Sequence, residues 1–398
     1  MSSGLLHSYK PLSPHVKLIG RTHMHHDIRW LALSGSGIEF SFYGKRAEIT
    51  IVGDQIATSG INEARIAIEV NGQRVVDELV TEKMKTYSIF ANDANEIEDQ
   101  YGDKRQNSIE QRTEDRIEDR TEDRTEVRTE GGSEDREVTV RVIKLSEAAM
   151  STVGIADIKV DSVDGIKATP ARARKIEFIG DSITCGYGVD ASHAESPFTT
   201  GTEDVTKAFA YLTAQKLNAD YSMVSYSGYG IISGYTENDQ KLTTHILPDY
   251  YNKFAKSEGL LNETVNPLSI PWNFSEFTPD LIVINLGTND DSYTKDHPER
   301  QADYEQHYVL FLKQVRANNP HAKILCTLGI MGDRLFPYVE RAVAAYSNET
   351  GDTNVTTMKF EVQLPEDGFG ADWHPSTTTH RKAANKLTSH IQNLIGWD

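Results

Sequence analysis

Two rhythms of apolar and polar positions divide the chain. In its first third, apolar side chains fall on every second position. Ile38-Glu39-Phe40-Ser41-Phe42, Ala47-Glu48-Ile49-Thr50-Ile51 and Ile66-Ala67-Ile68-Glu69-Val70 all follow this period. A period of two places one face of a strand on a core and the other in water. Asn71-Gly72 follows the third run directly. That dipeptide suits a hairpin turn, because both central residues of the turn need positive φ. Residues 85–90 and 137–143 read as further strands. Short strands, tight turns and no helical period predict an antiparallel β-sandwich.

From about Ala168 the rhythm changes. Lys175-Ile176-Glu177-Phe178-Ile179-Gly180 is a short apolar strand, and Val205, Ala208, Phe209 and Leu212 have helical spacing. Residues 222–225 read as a strand. Residues 281–286 form a nearly continuous apolar run, as expected of a strand covered on both faces. Tyr304, Tyr308, Phe311, Leu312 and Val315 mark an amphipathic helix, 323–328 is a further buried strand, and a helix over about 378–394 ends the chain. Alternating strands and helices predict a parallel α/β sheet. The expectation is two domains: a sandwich over 1–165, carrying a charged insert at 101–136, and an α/β domain over 170–398.

Composition supports this division. The chain has 398 residues, of which 38% are hydrophobic, enough for two packed cores. Its net charge of −18 argues against nucleic acid as a partner and suits a neutral ligand. No apolar run is long enough to span a bilayer, so no membrane partner is expected. The N-terminus lacks a basic start followed by an apolar stretch, and there are 2 cysteines, Cys185 and Cys326. Together these predict a cytoplasmic protein without a disulfide framework. Residues 112–130 run RTEDRIEDRTEDRTEVRTE, with arginine at every fourth position. Such a segment has no apolar face to bury. It reads either as a solvated loop or as an arm that docks on another subunit, making a homo-oligomer.

Four short stretches carry chemistry. Gly180-Asp181-Ser182-Ile183-Thr184 follows the first parallel strand, where such sheets place ligands. It is not the Gly-x-Ser-x-Gly elbow of other hydrolases. Tyr226-Ser227-Gly228-Tyr229-Gly230 follows the 222–225 strand, and its glycine lets a backbone N–H approach a ligand. Gly287-Thr288-Asn289-Asp290 ends the 281–286 strand and offers an amide donor. Asp372-Trp373-His374-Pro375 precedes the last helix and offers a base. Acyl transfer needs these parts: a serine hydroxyl, a base to take its proton, and fixed donors for the oxyanion. Ser182 N–H, Gly228 N–H and the Asn289 side chain would supply the donors. His23, His25 and His26 with Asp27 suggest a metal, but only His23 and His25 would share a strand face, a third ligand is not at a recognisable spacing, and the chemistry requires no metal or cofactor.

In order, these blocks resemble the SGNH hydrolase superfamily, named for Ser, Gly, Asn and His, and the resemblance covers 175–398. Ile19-Gly20-Arg21-Thr22 and Leu33-Ser34-Gly35-Ser36-Gly37-Ile38-Glu39-Phe40, leading to Gly180-Asp181-Ser182, look like carbohydrate esterase family two. That resemblance implies a jelly-roll sandwich ahead of an SGNH domain, and removal of acetyl groups from xylan or mannan backbones or their oligosaccharides. Most SGNH enzymes place an aspartate three residues before the histidine. Here Ala371 stands there and Asp372 is two before. Family-two members are thought to use a Ser–His dyad, so Asp372 is expected to orient His374, through its backbone carbonyl. Trp373, Tyr229 and Trp272 are candidate sugar-binding rings, alongside Tyr235. Two rival readings are an SGNH lipase or thioesterase on longer acyl chains and a non-catalytic carbohydrate-binding protein.

Overall fold

Alternating side chains become paired strands in the first part of the chain. The structure is a computed structural model and describes residues 5–12, 14–91 and 136–397. The strands are β1 (His7–Tyr9), β2 (Lys17–Ile19), β3 (Thr22–His25), β4 (Ile28–Leu31), β5 (Gly37–Gly44) and β6 (Arg46–Gly53). They continue as β7 (Arg65–Val70), β8 (Gln73–Leu79), β9 (Met84–Phe90), β10 (Arg136–Lys144), β11 (Val153–Val160) and β12 (Ile166–Ala168). Among the described residues they form two antiparallel sheets, ordered β3-β4-β11-β6-β9 with β1 on β11, and β12-β5-β10-β7-β8 with β2 on β5. In β6, Ala47, Ile49 and Ile51 are buried, alternating with partly exposed neighbours. They join Phe40, Ile68, Val140 and Ile155 in the core between the sheets.

The second sheet departs from simple alternation. Glu39, Ser41 and Glu69, on the face that the sequence pattern assigns to water, are all buried. The other domain covers that face, and ion pairs satisfy it. Arg141 binds Glu39 and donates to the Tyr211 hydroxyl at 3.3 Å, Arg65 reaches Asp190 at 2.9 Å, and Arg74 reaches Asp204 at 2.8 Å. The sheet also extends past the expected boundary at 165, because β12 still pairs with β5. Arg136, expected within the insert, begins β10. The rest of that insert, and with it the docking-arm reading, lies outside the described residues.

The parallel sheet comprises β13 (Arg174–Gly180), β14 (Ala219–Ser225), β15 (Leu281–Asn285), β16 (Lys323–Leu328) and β17 (Val355–Lys359), in the order β14-β13-β15-β16-β17. Its helices are α1 (Ser182–Cys185), α2 (Phe209–Lys216), α3 (Thr288–Thr294), α4 (Pro298–Asn318), α5 (Phe336–Thr350) and α6 (Thr377–Ile395). Successive residues of one strand serve opposite cores. Leu281 and Val283 pack with Phe209, Ala384 and Leu387, whereas Ile282 and Ile284 pack with Tyr304, Tyr308 and Val339. This two-sided burial is why the strand reads as a continuous apolar run. Strand order reverses at β13, so its carboxyl end opens at the switch point where ligands bind in such sheets. The helix expected from Val205 begins only at Phe209. Val205–Lys207 is a 3-10 turn capped by Asp204, and the Phe209 N–H that opens α2 donates to His380 Nδ1 of α6 at 3.1 Å. Among the described residues, no helix is long and apolar enough to cross a membrane.

Candidate active site

Ser182 sits where β13 stops. Asp181 is extended, and its carboxylate caps the short α1 by accepting the Ile183 N–H at 3.0 Å. Ser182 is therefore the first helical residue, and its own N–H lies in the turn that has no intrahelical acceptors. Burial raises the Asp181 carboxyl to about 7, opposed by the Ile183 bond and assisted by nearby Asp290.

His374 reaches this serine from the far end of the domain. Its Nε2 lies 2.9 Å from Ser182 Oγ. Its Nδ1 lies 3.1 Å from the Ala371 carbonyl and 3.2 Å from the Asp372 carbonyl. Carbonyls only accept, so Nδ1 carries the hydrogen, and Nε2 is left as the acceptor for the serine O–H. Burial lowers the imidazole pKa to about 4, against the two carbonyl bonds, which raise it.

The turn that aims these carbonyls is strained. Asp372 (φ 49) and Trp373 (φ 63) are both left-handed, at roughly 1–2 kcal/mol each. Neighbours hold them there. The Gly188 carbonyl accepts the Ala371 N–H at 3.0 Å. A Cβ on Gly188 would lie 2.4 Å from the Ala371 Cβ, so only glycine permits this approach. Gln363 Nε2 donates to the Trp373 carbonyl at 2.9 Å. The Tyr187 hydroxyl donates to Asp372 Oδ2 at 2.7 Å, so the carboxylate of Asp372 is turned to Tyr187. The Tyr187 ring also packs 4.1 Å from the imidazole, with Phe198 stacked 4.0 Å from that ring. Tyr187 carries no motif that sequence reading would single out, and Ala371 stands out there only as the residue in place of an aspartate.

The expected oxyanion donors Gly228 and Asn289 lie just past the ends of β14 and β15. Gly228 has φ 81, and a Cβ there would meet nothing within 4 Å, so it borders open space. Its carbonyl accepts the Tyr235 N–H at 2.8 Å. Asn289, in the first turn of α3, donates from Nδ2 to the Tyr229 carbonyl at 2.8 Å and lies 3.5 Å from Asp181 Oδ2. The next residue, Asp290, accepts the N–H groups of Ile231, Ile232 and Ser233. Asp290 thus ties the Gly228 loop to α3, and burial raises its carboxyl to about 6.

Two of the expected sugar-binding rings lie elsewhere. Tyr229 is 1% exposed, and its ring packs on Tyr226, Tyr250 and His245 in the core. Only its backbone serves the site. Trp272 stacks over the buried Arg21 guanidinium at 5.1 Å, a cation that needs aromatic and carbonyl partners away from water. Trp373, beside the base, is 54% exposed. Cys185 is buried and donates to Ser225 Oγ at 3.2 Å. Among the described residues, no group of three or more His, Cys, Asp or Glu side chains is placed to hold a metal.

Comparison with known proteins bears on this arrangement. Residues 178–382 match the GDSL-like Lipase/Acylhydrolase family. The chain belongs to that family. This GDSL-like hydrolase is 34% identical over 259 residues to the cellulase/esterase CelE of Acetivibrio thermocellus, a match spanning 64% of the chain but 30% of CelE. It is 32% identical over 271 residues to an acetylxylan esterase/glucomannan deacetylase of Cellvibrio japonicus, covering 65% of the chain and 69% of that protein. In three dimensions it resembles a family two carbohydrate esterase from Clostridium thermocellum solved in complex with cellohexaose. There the TM-score is 0.71 at 27% identity, over 96% of this chain and 100% of the other. The two-domain arrangement of sandwich and GDSL-like domain is shared with these carbohydrate esterases.

Proposed function

We propose that the chain is a serine esterase that removes O-acetyl groups from plant cell-wall polysaccharides or their oligosaccharides, with acetylated xylan or mannan as substrate. The observation that carries this reading is the 2.9 Å contact between Ser182 Oγ and His374 Nε2 at the switch point of the sheet. His374 Nε2 takes the serine proton as Oγ attacks the acetyl carbonyl carbon. The oxyanion that forms is met by the N–H groups of Ser182 and Gly228 and by the Asn289 amide. His374 then gives its proton to the departing sugar hydroxyl, leaving an acetyl-Ser182 intermediate. Water, deprotonated by the same imidazole, attacks the acetyl carbon; the bond to Oγ breaks, the imidazolium returns its proton to Ser182 Oγ, and acetate leaves. Through all steps the carbonyls of Ala371 and Asp372 hold the Nδ1–H and stabilise the transient imidazolium, a part played by a carboxylate in a conventional triad.

The sugar specificity rests on the relatives named above and on Trp373, an exposed ring beside the base that suits the apolar C–H face of a pyranose. A surface of net charge −18 presents no obstacle to a neutral saccharide. Acetate release from acetylated xylan and glucomannan, by wild type and by Ser182→Ala, tests the assignment. The variant should fold normally and release no acetate above background. Unchanged release by the pure variant would overturn it.

A further inference from the structure

The Gly228 loop is held by a residue of the other domain. Glu147 lies in the connection between β10 and β11 of the sandwich and is fully buried. Its Oε2 accepts the N–H of Ser227 at 2.8 Å, one peptide before the Gly228 N–H. The Glu147 peptide is itself clamped on both sides. Its N–H donates to Glu203 Oε2 at 2.8 Å, and its carbonyl accepts Lys144 Nζ at 2.7 Å. Lys144 and Glu203 are also fully buried, and Lys144 spends its other contacts on Ser146. The connection is pinned further on, where the Ala149 carbonyl accepts the Glu258 N–H.

A buried carboxyl is a costly way to fill space, so a leucine or methionine would serve packing alone. What Glu147 adds is an acceptor aimed at one backbone donor. Contacts then flank Gly228 on both sides: Glu147 on Ser227 N–H, Tyr235 N–H on the Gly228 carbonyl and Asn289 on the Tyr229 carbonyl, with Asp290 holding Ile231 to Ser233 beyond. Among the described residues, the Gly228 N–H between them has no partner, which leaves it free for an incoming oxyanion.

We propose that Glu147 is a positioning residue for the oxyanion hole: by holding the Ser227 N–H it aims the Gly228 N–H at the substrate carbonyl oxygen, which makes the sandwich part of the catalytic unit. This rests on the reading of Ser182 and His374 given above. An oxyanion donor acts only as charge develops, so misaiming it lowers kcat more than it raises KM. Burial raises the Glu147 carboxyl, so a neutral side chain of the same shape suits the site.

The test uses the full-length chain with 4-nitrophenyl acetate. Glu147→Ala should lower kcat by about tenfold or more, with KM within about threefold of wild type. Glu147→Asp keeps the acid but falls one methylene short, and should lose kcat likewise. Glu147→Gln still offers an amide oxygen and should stay within about threefold of wild type. A folded Glu147→Ala with wild-type kcat overturns the inference, as does a loss confined to KM, or a folded glutamine variant as slow as the alanine one. If the alanine variant does not fold, the aspartate variant decides on the same criteria. A measurement on wild type needs no variant at all: the Ser227 amide should be protected from hydrogen exchange, and fast exchange there sinks the idea. Ser182→Ala run in parallel separates the two readings. Activity in that variant overturns the site itself, whereas a dead Ser182→Ala beside fully active Glu147 variants overturns only the role of Glu147.

Discussion

At His374 the imidazole is held by main chain rather than by a carboxylate. Carbonyls of Ala371 and Asp372 share its Nδ1–H, while the Asp372 side chain is occupied by Tyr187. A backbone carbonyl survives side-chain mutation. Asp372→Ala should therefore lose far less turnover than His374→Ala, within about 100-fold of wild type, against about 10,000-fold for a lost triad carboxylate. Part of the alanine effect is strain, since aspartate tolerates left-handed φ better than alanine does. The comparison is made on kcat, with circular dichroism confirming both folds. Equal inactivity of two folded variants would show that Asp372 acts through its carboxylate. The same histidine sets the pH profile. Burial lowers its pKa to about 4, so the neutral, proton-accepting form persists down to that pH and is lost below it. The acid limb of kcat/KM should have its midpoint nearer 4 than 6.5, and a midpoint at 6.5 or above contradicts this picture. Sequence made Ser182 and His374 legible because each is a reactive residue at the end of an element. It did not reveal Tyr187, whose part depends on a contact 185 positions away.

At the scale of elements, the site is a set of strand ends followed by helix starts. β13 hands over to α1 at Asp181, and β15 hands over to α3 through Gly287. Each handover places the first turn of a helix at the carboxyl end of the sheet. Asn289→Ala removes a side-chain donor there and also leaves the Tyr229 carbonyl without its partner. Turnover should fall by roughly 100-fold or more, with a smaller change in KM. A variant that instead loses mainly substrate affinity would make Asn289 a binding residue. Element type was legible wherever the period was unambiguous, as in β6 and α6. Boundaries were less so. The helical spacing at Val205 and Ala208 is real, but Asp204 caps the start of a separate 3-10 turn there, and α2 waits for the acceptor that His380 brings from α6.

For the whole molecule, the contact between sandwich and parallel sheet combines an apolar core, in which Ile19, Ala67, Ile143 and Leu145 join Ile176 and Phe178, with ion pairs such as Arg74–Asp204. Asp204 is fully buried, and although burial alone would raise its carboxyl, Arg74 and Thr206 bring it below its ordinary value. Arg74→Ala strands that carboxylate with Thr206 and Lys207 as its remaining partners. Breaking a fully buried pair costs about 3–5 kcal/mol, and Arg74 is partly exposed, so a loss of about 1–3 kcal/mol is expected. Urea unfolding measures it. The midpoint should fall at pH 7, and an unchanged midpoint means that solvent replaces the guanidinium at no cost. Activity of the folded fraction should persist, because neither residue touches Ser182 or His374.

What the sequence alone determined is what each segment carries within itself. Period two in 38–51, continuous apolar runs in 281–286 and 323–328, and small reactive residues just past strand ends are local facts, and they specify element type and candidate chemistry. The tertiary structure decided whatever depends on a partner from elsewhere in the chain. Glu39, Ser41 and Glu69 alternate as a water-facing surface should, yet they are buried: Arg141 of a neighbouring strand pairs with both glutamates, and Glu137 accepts the Ser41 hydroxyl. Tyr229 and Trp272 are aromatic like Trp373, but one fills a tyrosine cluster and the other stacks on Arg21. An aromatic residue is apolar wherever it lies, so only the neighbour it meets distinguishes core from pocket. Ser182 and His374 stand 192 positions apart. Their approach to one hydrogen bond is the work of the parallel sheet that brings its strand ends together and of a left-handed turn that aims the imidazole.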